Sequence, residues 1–229
     1  MRWWSSSESP KDGKVRKSER RFAGGILIVG AITKSQIHQL MGSVHDDKTF
    51  EDISYAGTTV SGCEYNGCTF KKCDFSNSNF ANNKFIDCVF DGCNLTMMKL
   101  TKSTLSSVEF KNCKVLGVNF TDCIDFLFSV GFEGCILDYS SFMLKKMLKT
   151  RFNKSTLKEV TFTQANLAGS VFDDCDLNGA IFNRTDISSA NFITAYNYDI
   201  DPEINIVKKA AFSAQGIHGL LSKYQLKIV

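Results

Sequence analysis

Nine cysteines and three histidines are the side chains best suited to chemistry here, and their spacing decides what is open to them. Cys63, Cys68, Cys73, Cys88, Cys93, Cys113, Cys123, Cys135 and Cys175 could form a disulfide scaffold or ligate a metal. Cys63, Cys68 and Cys73 stand five residues apart, and thiols at that interval do not converge on one ion as a CxxC pair does. His38 and His45 precede the main body of the chain and His218 lies near its end, so the histidines build no ligand set either. There is no phosphate loop and no nucleophile elbow. Neither an enzyme nor a cofactor or metal site is expected.

The cysteines share one further property: each falls in the repeat slot two residues before the beat, which is a large apolar residue after every one but Cys123, where it is Asp125. From Phe50 that apolar residue returns every fifth position, as Tyr65, Phe70, Phe75, Phe80, Phe85, Phe90, Leu95, and so on to Phe120. A second run, displaced by two residues, goes from Leu127 through Phe132, Leu137, Phe142 and Met147 to Phe192. A period of five fits neither a helix nor an alternating strand, so it belongs to a repeating backbone unit. The cysteine slot also takes Ser78, Ser140, Ser155, Ser170, Ala165, Ala180 and Ala190, which reads as a small buried position. Cys73, Cys93 and Cys113 would stack near enough to bridge, yet the slot's tolerance of Ser and Ala favours free thiols and a reducing, cytoplasmic compartment. Asp or Asn often precedes the beat (Asp74, Asn166, Asp176, Asn191), and glycine often follows it by two (Gly57, Gly92, Gly169), as tight corners require.

In these features, over roughly residues 50–192, the chain resembles the pentapeptide-repeat family. The resemblance implies an all-β fold: a right-handed, quadrilateral parallel β-helix with four pentads per coil. Residues twenty apart then stack, placing Phe132, Phe152, Phe172 and Phe192 in one column. At a rung spacing of ~4.8 Å the repeat makes a tower of about seven coils, roughly 35 Å long.

The chain divides into a basic and apolar extension (1–45), the tower (46–195) and a tail (196–229). Residues 1–21 are polar and basic and Phe22 to Ile32 are mainly apolar. This start reads first as a flexible leader or an extension upstream of Met41, second as a short helix capping the first coil, and last as a signal or tether. The apolar run is too short to span a bilayer, and no membrane is expected. Two extra residues in 121–126 break the register and should form a bulge or kink dividing two stacks, read either as a plain loop or as a bend that sets the curvature of the particle. Lys145 falls in the small inward slot, where an unpaired ammonium is costly, so the backbone is expected to turn it outward. In the tail, Ser213 can cap a helix with Phe212, Ile217, Leu220, Leu221 and Tyr224 as its apolar side, followed by a short strand containing Ile228; its minimum role is a lid on the last coil, and its apolar stripe could equally join two copies.

The tail is similar to that of the quinolone-resistance members of the family, the Qnr and MfpA type, in Asp201-Pro202, the Lys208 to Ser213 entry and Gly219-Leu220-Leu221. That similarity implies a homodimer joined through the six apolar residues just named. It also implies a rod that imitates DNA and binds a type II topoisomerase (DNA gyrase or topoisomerase IV), with quinolone resistance as an outcome. Residues 160–206 carry seven acids against Arg184 alone, and Asp173, Asp174, Asp176 and Asp186 are the candidate partner-binding acids. Lysines elsewhere, such as Lys71, Lys72 and Lys111, make the mimicry partial. The alternative is a scaffold for another protein. Direct nucleic-acid binding is not expected, because the bases of the leader and of 145–158 are not interleaved with aromatics.

Overall fold

The computed structural model describes residues 20–22, 25–29 and 41–227. Each pentad is a short extended piece ended by a left-handed corner. The corner residue, two after the beat, has positive φ at Asp47, Asp52, Gly57, Gly62, Gly67, Lys72, Asn77 and Asn82 in unbroken five-residue steps. An L-residue pays about 1–2 kcal/mol for that conformation, yet Met97, Tyr139 and Leu144 adopt it as well as glycine and asparagine. Stacking of the backbone on the coils above and below therefore outweighs local preference. The Asp or Asn before the beat locks the segment, its Oδ1 accepting the N–H two residues on, as from Asp74 to Ser76 at 3.0 Å and from Asn166 to Ala168 at 3.0 Å.

Four such segments close a coil, and the coils stack into a right-handed, four-walled parallel β-helix. The first wall pairs Thr49–Glu51, Thr69–Lys71, Val89–Asp91, Val108–Lys111, Val130–Glu133, Arg151–Asn153, Val171–Asp173, Asn191–Phe192 and Ala211–Phe212 in parallel. Its central phenylalanines form one continuous stack, with ring centroids 4.9 Å apart at Phe50 and Phe70 and 4.6 Å apart at Phe172 and Phe192. The second wall is centred on Tyr55, Phe75, Leu95, Val115, Leu137, Leu157 and Leu177, and the third on Val60, Phe80, Leu100, Phe120, Phe142, Phe162 and Phe182, all buried. The fourth begins with His45, stacked on Tyr65 at 4.9 Å, and continues through Phe85 and Leu105.

All nine cysteines are buried and unbridged. Their slot is more than small, because it stitches coils together. Cys93 Sγ donates to the Phe70 carbonyl, Ser103 Oγ to Phe80, Asn83 Nδ2 to Val60 and Thr185 Oγ1 to Phe162, each 23 residues back. Asn83, Cys93 and Ser103 also accept an N–H from the coil below, as Asn83 Oδ1 does from Cys63 at 2.7 Å. Cys, Ser, Thr and Asn share the slot because each is small and can donate to a wall-centre carbonyl of the coil before it.

Several expectations are corrected. Stacking continues one coil past the last regular beat, placing Phe212 on Phe192 at 5.1 Å. Since Phe212 belongs to that wall, no α-helix grows from Ser213. Two short 3₁₀ turns, Ile217–Leu220 and Ser222–Tyr224, follow instead, and no strand forms over residues 225–227. At the other end no capping helix forms among the described residues: Gly25–Val29 pairs antiparallel with Arg20–Phe22 and parallel with Thr49–Glu51. Leu127 is exposed, and Phe128 turns inward in its place. Lys145 does not swing outward; it is buried.

Candidate protein-binding site

The two extra residues fall in the fourth wall. Below them the register is regular: Ile124 N–H donates to the Ser103 carbonyl at 2.9 Å. Above them the first wall pairs Phe110 with Phe132, a step of 22 residues rather than the 20 that separates Phe90 from Phe110. The four-stranded ladder of the fourth wall accordingly ends at Thr104–Ser106. Between the two, residues 125–128 form a loop. Phe126 and Leu127 stand on it 75% and 62% exposed, while Phe128 packs edge-on against Phe120 at 6.4 Å. Leu144 and Leu148, in the coil above, are also exposed on this side of the tower.

Under the loop lies Lys145. Its ammonium donates to the Cys123 carbonyl and to Asp125 Oδ1, both at 2.6 Å, and sits 5.2 Å from the centroid of the Phe128 ring. The lysine side chain is 2% exposed, whereas that of Asp125 is 72% exposed. Nothing in the five-residue count singles out Phe126 or Phe128; the signal available was the pair of extra residues together with a charge in an inward slot twenty residues later.

The four candidate acids do not share a surface. Asp173 lies on the first wall and accepts Thr194 Oγ1 at 2.8 Å. Asp174 follows on the corner, with φ of 52°. Asp176, on the second wall, is nearly buried; it accepts Asn197 Nδ2 at 2.8 Å and pairs with Lys158 at 3.4 Å. Asp186 lies on the fourth wall and holds the Ser188 N–H. Toward the start of the tower the first wall alternates in charge, because register places Glu51, Lys71, Asp91, Lys111 and Glu133 side by side in one column. Opposite charges on adjacent strands stabilise the sheet and cancel each other's field a short distance away.

Of the six candidate dimer residues, Phe212 and Leu220 pack against the core, Leu221 is half-buried, and Ile217 and Tyr224 are exposed. Ile228 lies outside the described residues. Gly219 is buried under Tyr198, and Lys223 clamps the tail to Asp201 at 2.7 Å and to Glu203 at 2.6 Å.

Among the described residues no group of three His, Cys, Asp or Glu side chains is placed to hold a metal, and no helix is long and apolar enough to cross a membrane. Burial pushes the Cys123 and Cys175 thiols up to about 12, so they stay protonated at neutral pH. Both His45 ring nitrogens are engaged, by Ser43 Oγ and Lys48 Nζ.

Comparison with known proteins agrees with this geometry. A family model described as a pentapeptide repeat region matches residues 63–142, and one for pentapeptide repeats, in eight copies, matches 150–192. Full-length QnrB1, described as a plasmid-mediated fluoroquinolone resistance protein, superposes with a TM-score of 0.55 at 17% identity, covering 86% of this chain and 95% of that one. HetL from the cyanobacterium Nostoc, described as a pentapeptide repeat protein involved in heterocyst differentiation regulation, gives 0.36 at 14% identity, covering 74% and 87%. No curated protein sequence matches.

Proposed function

Because this chain belongs to the pentapeptide-repeat family, whose rods bury their apolar side chains and leave only outer walls for recognition, we propose that it is a non-catalytic protein-binding rod directed at a bacterial type II topoisomerase. Gyrase or topoisomerase IV is the target, and quinolone protection is the phenotype to test. The observation that carries a protein-binding role is the loop on the fourth wall. An exposed aromatic and leucine on a loop tied down by Lys145 form the kind of anchor around which interfaces are built. The topoisomerase target is supported by the shared tower with QnrB1, described as a resistance protein, and by the similarity of the tail.

DNA mimicry enters this reading only in part. Asp173 and Asp174 form an acidic edge near the last coils, while Asp176 is neutralised by Lys158 and Asp186 faces another wall. The distribution favours an apolar anchor with local electrostatic help over a DNA-like stripe. Nine unbridged thiols support a cytoplasmic site of action. Two copies pair through the tail, where Ile217 and Tyr224 are exposed beside the clamped turn. Purified protein should shift gyrase supercoiling or quinolone-induced DNA cleavage at micromolar concentration. If it has no effect on gyrase or topoisomerase IV but captures another protein through the same loop, the chain is a scaffold for a different target.

A further inference from the structure

The two departures from the repeat, an insertion at 125–128 and a lysine in an inward slot, are a single device. In the fourth wall the slot reads Cys63, Asn83, Ser103, Cys123, Lys145, Ala165, Thr185 and Asn205. The polar members reach back 23 residues to the carbonyl at a wall centre: Asn83 to Val60, Ser103 to Phe80, Cys123 to Leu100, Thr185 to Phe162 and Asn205 to Phe182. Lys145 breaks that pattern only in length. Its longer stem carries the donor past the usual carbonyl to Cys123 O and Asp125 Oδ1, at the point where the chain leaves the wall to make the loop.

The loop creates the need for such a side chain. With Leu127 turned outward, the fourth wall lacks its regular inward residue in this coil, and the ring of Phe128 and the stem of Lys145 occupy that side of the shaft. A buried ammonium is tolerated only when fully paired. Here a carbonyl, a carboxylate and an aromatic face provide the pairing, and two of these three partners belong to the loop itself. The bonds are short and charge-assisted, the strong class of hydrogen bond.

We propose that Lys145 is the positioning residue that holds residues 124–128 in the form presenting Phe126 and Leu127 to a partner; the partner half of the statement rests on the function proposed above. Lys145 touches no partner itself. It ties Asp125 and Phe128 down on either side of the two exposed residues, so the pair is displayed on a fixed arch rather than on a loose strand.

Hydrogen exchange read by mass spectrometry on the full chain tests this without a partner. Lys145→Met keeps most of the stem and removes the ammonium. Exchange in peptides covering 121–130 should speed up at least tenfold, while peptides covering 150–192 stay within twofold of the parent. Should Lys145→Met fail to fold, Asp125→Asn serves instead, because it keeps an oxygen within reach of the ammonium and removes only the charge of a mostly exposed side chain. It should loosen the same peptides. Unchanged exchange in 121–130 in the folded variant overturns the proposal. Binding to gyrase, measured alongside, should weaken at least tenfold in Lys145→Met and remain close to the parent in Lys154→Ala. A parent protein that binds no topoisomerase removes the proposed target and leaves the exchange result to decide the role of Lys145.

Discussion

At the scale of single residues, the inward slot sets the strictest demand on the sequence. It must be narrow, and where it is polar it donates to a carbonyl of the coil before it. Asn83 meets both demands while fully buried, bonding the Val60 carbonyl and the Cys63 N–H. Asn83→Ala strips both partners at once and should cost about 2–4 kcal/mol of folding stability in urea titration. Cys93→Ser keeps a donor of similar size and should stay within about 1 kcal/mol. His45 offers a pH-dependent counterpart. Burial, reinforced by Lys48 and opposed by Asp46, lowers its pKa from 6.5 to about 4. Between those values the unfolded chain binds a proton that the folded one refuses, so stability is complete above pH 6.5 and falls as pH drops toward 4. The slope from this group is at most about 1.4 kcal/mol per pH unit. His45→Phe, which suits the aromatic column, should flatten the dependence of the urea midpoint on pH in that window.

At the scale of elements, the loop is where local exposure and proposed function can be separated. Phe126 is 75% exposed, so Phe126→Ser should leave the unfolding free energy from urea titration within about 0.5 kcal/mol of the parent. If Phe126 anchors a partner, the same change should weaken topoisomerase binding at least tenfold, measured by titration of supercoiling inhibition. The walls were legible because the five-residue count, joined to the four pentads per coil that the family resemblance implies, stacks Phe132, Phe152, Phe172 and Phe192. It could not choose between Leu127 and Phe128, since two extra residues can be absorbed at several points of a pentad without altering the beats on either side. The fate of Lys145 was hidden for a related reason: its partners, Cys123 O and Asp125, exist only once the insertion is placed. The tail misled differently. Ser213 to Tyr224 carries a helical stripe, but adding Phe212 to the aromatic stack fixes the chain direction, and the bonds Gly219 N–H to Gly216 O and Leu221 N–H to His218 O close 3₁₀ turns instead. The candidate acids were legible as composition and not as a surface, because a run dense in acids spreads around a four-walled coil.

At the scale of the whole molecule, the tower is a stack of coils whose walls differ, and the tail is where the proposed pairing is tested. The Lys223 ammonium holds the Asp201 and Glu203 carboxyls below their ordinary values. This contribution is present above the usual carboxylate range and is lost as pH falls through the lowered values. The clamp fixes the 3₁₀ turns on the last coil, and beside it Ile217, Tyr224 and Leu226 are 41%, 49% and 59% exposed. Three large side chains at the end of a parallel stack, where the next coil would otherwise add, form a surface suited to a second copy across a two-fold axis. Light scattering at micromolar concentration should give twice the chain mass for the parent and a single chain mass for Ile217→Asp combined with Leu226→Asp. Lys223→Ala leaves the apolar residues in place but frees the turn that carries them, so it should raise the dimer dissociation constant without abolishing pairing, and the parent should approach that variant's behaviour as the carboxyls protonate in acid. A parent that sediments as one chain at these concentrations would show the exposed tail to be only a lid, and recognition by the loop would then have to work from a single rod.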